Sequence, residues 1–153
     1  MTLLFAFLIG FFGGLRSLTA PAVTSWAAHL GWLRLSHPLS IIGSTPAVVV
    51  LTVLAAAELV GDKWSKAPNR TAALGLGARI VGGAVTGACV AVAGSQGIIV
   101  GAVLGALGGV AGCFGGYQAR RRLVQALGTR DLYVAVVEDL VAIGGSLLVV
   151  SRF

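Results

Sequence analysis

The chain has 153 residues, 57% hydrophobic and 10% charged, and 11 Lys and Arg against 5 Asp and Glu give a formal net charge of +6. Soluble domains carry about a quarter charged residues, so a soluble globular protein is excluded and one membrane-embedded domain over residues 1–153 is expected. The basic residues lie between apolar stretches, where membrane topology accounts for them without a nucleic-acid partner.

The first apolar region runs from about Thr2 to Leu33. As one helix it would be about 48 Å long at 1.5 Å per residue, well beyond the roughly 30 Å hydrocarbon core. Its opening, MTLLFAFLIGFFGG, lacks a basic leader and a small-x-small cleavage site and is read as a mature span. Gly13-Gly14 and then Arg16-Ser17-Leu18-Thr19-Ala20-Pro21 offer a place to bend, because Pro removes a backbone donor and disfavours helix before it. A long first helix, kinked or broken near residues 14 to 21, is predicted.

A polar connection with His37-Pro38 and Ser44-Thr45-Pro46 leads into a second span over Pro46–Val60. The loop from Gly61 to Arg70 precedes a third span, Thr71–Ala93, and Gly94-Ser95-Gln96-Gly97 turns the chain into a fourth, Ile98–Tyr117. Arg120-Arg121-Arg122 closes that span, and a fifth runs from Leu132 to Val150. The fold class is therefore all-α, with about five transmembrane helices. Lys63, Lys66, Arg70, Arg120, Arg121, Arg122 and Arg130 fall on one side, with Arg34 and Arg152 on the other. The first side is expected to be cytoplasmic. With an odd number of spans this puts the N-terminus inside and the C-terminus outside a multi-pass protein of the cytoplasmic (inner) membrane.

Laying span one over span four at an offset of 95 aligns Gly10 with Gly105, Gly13 with Gly108 and Gly14 with Gly109. Span two over span five aligns Glu58-Leu59-Val60 with Asp139-Leu140-Val141. Two such units separated by one helix would form an inverted repeat, an architecture common among transporters. The four-residue recurrence of Gly101, Gly105, Gly109 and of Gly108, Gly112, Gly116 is small-xxx-small packing. It fits helix packing within the chain or a homo-oligomer. No P-loop Lys-Ser/Thr follows these glycines, so nucleotide binding is not indicated.

Arg16, Glu58, Arg79, Glu138 and Asp139 interrupt otherwise apolar spans, where each charge costs about 2.5 to 3.5 kcal/mol on insertion scales. Counting residues places Glu58, Arg79, Glu138 and Asp139 at one depth, with three acids against one base, and Arg16 apart at the helix break. An excess of negative charge there invites a proton, a cation or a small polar solute. Arg16, Ser17, Thr19, Glu58, Arg79, Glu138 and Asp139 are the expected binding residues, with Asp62, Lys63 and Arg70 beside Trp64 as an interfacial anchor or gate. Cys89 and Cys113 lack metal-ligand spacing, and no nucleophile and base pattern is legible. Neither an enzyme nor a cofactor or metal is expected. A small transporter or channel is the leading functional class. A non-transporting scaffold or accessory subunit, with structural ion pairs and a glycine-packed interface, is the competing one.

At Gly14-Leu15-Arg16-Ser17-Leu18-Thr19-Ala20-Pro21, at Glu58-Leu59-Val60-Gly61-Asp62-Lys63, at Pro68-Asn69-Arg70-Thr71 and at Arg79, the chain resembles an uncharacterised family of small bacterial integral-membrane proteins, domain of unknown function 4126. The resemblance spans most of the chain and implies membrane location without an established activity. Trp64 stands where a smaller apolar residue is expected in that family.

Overall fold

A computed structural model describes residues 1–61, 73–128 and 131–153. Among them are six α-helices: α1 (Thr2–Leu15), α2 (Thr19–His29), α3 (Thr45–Gly61), α4 (Ala73–Ala93), α5 (Ile98–Leu127) and α6 (Asp131–Val150), with a short 3-10 helix at Leu39–Gly43 before α3. The helices from 73 to 93, 98 to 126 and 131 to 150 are long and apolar enough to cross a membrane, while α1 and α3 are shorter apolar helices.

The first apolar region is broken at Arg16–Leu18, as the Gly-Gly and Pro signals predict, but its halves do not continue in one direction. A Cβ built on Gly13 would lie 3.3 Å from that of Ala20, so α1 and α2 face each other across the break. The Phe5 and Phe153 rings meet edge to face at 5.9 Å, and Gly31, Trp32 and Arg34 line a cavity with Val150 and Phe153. The start of α1 and the segment after α2 therefore lie at the same end of the molecule. The region is a helical hairpin with its tip at Arg16–Leu18, and this corrects the expectation of a single kinked span. α6 packs against both arms.

The rest of the topology follows from the hairpin. α3 returns antiparallel to α2, with Trp26 Nε1 donating to Thr52 Oγ1 near one end and Ser17 meeting Glu58 near the other. Gly94, after α4, sits against Thr2. Both ends of the chain thus share one end of the bundle, whereas an odd span count had put them on opposite sides. α5 is ten residues longer than the hydropathy of its first part suggests. Ala, Arg, Gln and Leu after Tyr117 are strong helix formers, so the helix continues out of the apolar zone. It stops where Gly128 takes φ +57 and donates to the Val124 carbonyl.

The core is a three-helix seam of glycine. Gly10 and Gly14 of α1 press on Gly105 and Gly109 of α5, which also presses Gly101 and Gly105 on Gly83 and Gly87 of α4. Lipid supplies no hydrophobic drive between helices, so this close backbone approach is how they gain packing energy. Two expectations are corrected here. α1 and α5 touch at matching offsets of 95, so they run parallel, whereas an inverted repeat would set them antiparallel; the aligned glycines record the register of one helix on the other. Both glycine rows of α5 are consumed inside the chain, with Gly108 and Gly112 against Phe7 and Phe11 and Gly116 against Leu15, so they do not form an oligomer face.

A Cβ at Gly105 would fall inside van der Waals distance of the Gly83 carbonyl oxygen, and one at Gly144 meets nothing within 4 Å. Gly105→Ala is expected to destabilise by about 1–3 kcal/mol or more through overpacking. Gly144→Ala should be neutral or stabilising by up to about 1 kcal/mol. Unfolding of both variants in detergent, followed by circular dichroism, checks the contrast.

Candidate functional site

A break inside a helical bundle frees backbone groups that lipid cannot satisfy. In a continuous helix the Leu18 N–H would donate to the Gly14 carbonyl. Here Leu18 N donates to Glu58 Oε2 at 2.9 Å, and the Gly14 carbonyl accepts from Arg79 Nε at 3.0 Å. The Ser17 N–H and hydroxyl donate to Glu58 Oε1 at 2.9 and 2.5 Å. Glu58, from the last turns of α3, is therefore the cap of α2 supplied by another helix, and Arg79, from α4, is the cap of α1. Each charge sits at the helix end whose partial charge attracts it: the anion at an N-terminus, the cation at a C-terminus. Arg79 also donates Nη1 to the Gly75 carbonyl at 3.0 Å, which anchors the guanidinium to its own helix.

Arg16, at the tip itself, is 1% exposed. Its Nη2 lies 2.5 Å from Asp139 Oδ1 of α6, whose side chain is 10% exposed. Three helices thus hold the tip through three charged side chains: Glu58 from α3, Arg79 from α4 and Asp139 from α6. Among the described residues the cluster holds two cations and two anions. The depth argument from sequence left Arg16 apart, whereas the fold brings Arg16 onto Asp139.

Glu138 is separated from this cluster although it adjoins Asp139 in sequence. Successive helical residues point about 100° apart, so Asp139 faces the hairpin tip and Glu138 faces α5. There Arg120 Nη1 donates to Glu138 Oε2 at 3.4 Å, while Arg120 Nε and Nη2 bind Asp131 Oδ1 and Oδ2 at 2.7 and 2.5 Å. This second ion group borders a cavity of about 250 Å³ lined mainly by apolar residues, including Phe11, Leu15, Leu123 and Val137. Arg120 and Asp131 were read from sequence only as flanking charges. The seven-residue interval from Asp131 to Glu138, two helical turns, was the signal that they share a face.

Ser17 contributes its hydroxyl to Glu58, as above. Thr19 is buried, and its hydroxyl has no hydrogen-bond partner among the described residues; the same holds for Thr24 and Ser146. Sequence reading passed over Thr24 and Ser146, although Ser146 lies seven residues beyond Asp139 on the same face of α6. Asp62, Lys63 and Arg70 lie outside the described residues. Among the described residues no group of three or more His, Cys, Asp or Glu could hold a metal ion, and Cys89 and Cys113 are buried and free.

The fold and this site define an all-helical protein whose long apolar helices suggest a multi-pass membrane protein, built around a helical hairpin with a buried, charged tip. The chain matches the family described as Domain of unknown function (DUF4126) over residues 3–151, and it belongs to that family. Neither the curated proteins nor the solved structures yield a match.

If the Arg16–Asp139 pair is coupled, removing one partner strands a buried charge. Arg16→Met and Asp139→Leu are each expected to destabilise by about 3–5 kcal/mol, and Arg16→Met/Asp139→Leu by clearly less than the sum. A double-mutant cycle measured by unfolding in detergent checks this, and additive losses would sink the coupling.

Proposed function

We propose that the protein is a small transporter or channel of the cytoplasmic membrane, in which Arg16, Ser17, Thr19, Glu58, Arg79 and Asp139 form a polar intramembrane site for a proton or a small polar solute. The observation that carries this reading is the interrupted hairpin: its tip lies within the bundle and its freed backbone groups are met by charged side chains of α3 and α4. Irregular backbone at membrane depth occurs where protein buries it or where it lines a cavity, and discontinuous helices are the usual site of solute binding in transporters. Glu58 and Asp139 are the acids of this site able to exchange a proton or to hold a cation. Glu138, with Arg120 and Asp131, then belongs to a separate group between α5 and α6.

In this reading α3 to α6 cross the bilayer and α1–α2 is a re-entrant hairpin. Arg120, Arg121 and Arg122 mark the cytoplasmic end. Both termini then lie outside, and the hairpin enters from that side. Reporter fusions at each terminus test the topology: both should report the non-cytoplasmic side, and a cytoplasmic report from either end would overturn it.

The competing class, a non-transporting scaffold or accessory subunit, is favoured by the capping and ion-pair contacts at the tip, since satisfied charges need no ligand. Flux in liposomes separates the two. Proton flux and release of small polar solutes are expected from the unaltered protein, and Glu58→Gln and Asp139→Asn should each reduce them by about tenfold or more, within the range of general acid–base contributions. Equal flux in both variants and the parent would remove the site from any transport role.

A further inference from the structure

We propose that the Glu58 carboxylate occupies a binding site for a small carboxylate, and that an acetate-sized anion takes its place at the hairpin tip when Glu58 is protonated. The tip holds Glu58 as a receptor holds a ligand. One carboxylate oxygen accepts from the N–H and hydroxyl of Ser17 at 2.9 and 2.5 Å, and the other accepts from the Leu18 N–H at 2.9 Å. Both oxygens are met by donors that belong to the tip and not to α3, so what the tip recognises is carboxylate geometry. These donors stand at the N-terminal end of α2, a helix of 11 residues whose partial positive charge favours an anion whatever molecule carries it. One more polar group there points to a ligand. Thr19, the first residue of α2, is 4% exposed, and its hydroxyl has no hydrogen-bond partner among the described residues. Cα–Cβ bonds tilt toward the N-terminus of a helix, so this hydroxyl leans to the end that holds the carboxylate.

Glu58 is also the member of the tip best able to leave. Arg16, Arg79 and Asp139 are buried, whereas Glu58 is half-buried and its neighbours Ala56, Ala57 and Val60 are exposed. α3 packs mainly against α2 and the 3-10 helix, so its last turn can move while α4, α5 and α6 stay packed. A carboxylate that leaves its donors carries a bare charge into a medium of low dielectric, and protonation removes that cost. The other charged groups at the tip, among the described residues, are Arg16 at the break, Arg79 of α4 and Asp139 of α6. Both arginines keep their charge at any pH near neutrality, and Asp139 stays on Arg16. The exchange is balanced. The proton goes to Glu58, the incoming anion restores the negative charge that is lost, and the donors of Ser17 and Leu18 keep an acceptor. The size of the ligand follows from the side chain itself, since Glu beyond its Cβ has the shape of acetate. This names the class of solute for the site proposed above and rests on that reading for any transport; binding of the anion stands apart from it.

The test measures binding of radiolabelled acetate to the full chain in detergent, by equilibrium dialysis at a series of pH values from neutral to mildly acid. In the unaltered protein the affinity is expected to rise by close to tenfold, about one proton's worth, for each unit that the pH falls, because each anion bound is matched by a proton taken up. Glu58→Ala removes the atoms of an acetate. It should bind acetate at neutral pH about tenfold or more tightly than the parent, with no dependence on pH, and acetate should raise its melting temperature, as chemical rescue of a vacated site does. Adding Ser17→Ala should weaken that binding by about tenfold, the loss of a charge-assisted hydrogen bond. Glu58→Gln, which cannot take up the proton, should likewise show no dependence on pH. An unaltered protein that binds no acetate, or binds it equally at every pH, overturns the proposal whether or not the variants fold. A pH dependence that persists in Glu58→Gln or Glu58→Ala overturns it as well. Binding of acetate linked to pH, without the solute flux expected above, keeps the anion site and discards the transport reading; flux that is lost in Asp139→Asn, without such binding, does the reverse.

Discussion

The hydrogen bond that a continuous helix would make between Leu18 and Gly14 is the one the rest of the structure is built to replace. Once it is broken, an amide and a carbonyl are loose inside a bundle that excludes water, and each costs several kcal/mol unless met. Glu58 meets the amide and Arg79 the carbonyl. Because those side chains come from α3 and α4, the break fixes where both helices lie. Arg16 at the same tip then fixes α6 through Asp139. Three of the four remaining helices are thus positioned by what one interruption needs.

The fourth, α5, is positioned by the absence of side chains. Glycine on α1, α4 and α5 lets three backbones come so close that a methyl group at Gly10, Gly83 or Gly105 would overlap a neighbouring carbonyl. The hairpin and the seam depend on each other. Gly14 lies against Gly109 and Gly112 and also offers its carbonyl to Arg79. One residue near the end of α1 thus permits a close backbone contact and also carries a carbonyl that the break leaves open. A substitution there would disturb packing and capping together.

The helices were largely legible in the sequence. Their apolar content and the Gly, Pro and Asp punctuation placed α3, α4, the start of α5 and α6 within about two residues of where they lie. The break was legible too, from Gly13-Gly14 and Pro21. Its direction was not, because a run of apolar residues has the same composition whether the chain continues or turns back. From that one ambiguity came the wrong side for one terminus and the inverted repeat. The charged residues were recognisable as a set by their cost in lipid, yet their pairing was not. Depth along a helix says nothing of the face a side chain occupies, which is why Glu138 and Asp139, adjacent in the chain, belong to different ion groups. Arg16 went to Asp139 because the hairpin brings its tip back into the bundle, and no count of residues along a straight span contains that turn.

The contacts at the tip bear on how such a site can move. Withdrawing one member of a buried ion pair is costly to the other in a medium of low dielectric. The hairpin cannot shift as a rigid body unless something replaces each contact it leaves, and a ligand shifts such an equilibrium only by its differential affinity for the two states. Glu58 holds backbone donors that favour any anion in its place, and Arg79 holds a carbonyl that would bind water as readily. The exchangeable contacts are thus those of the helix ends.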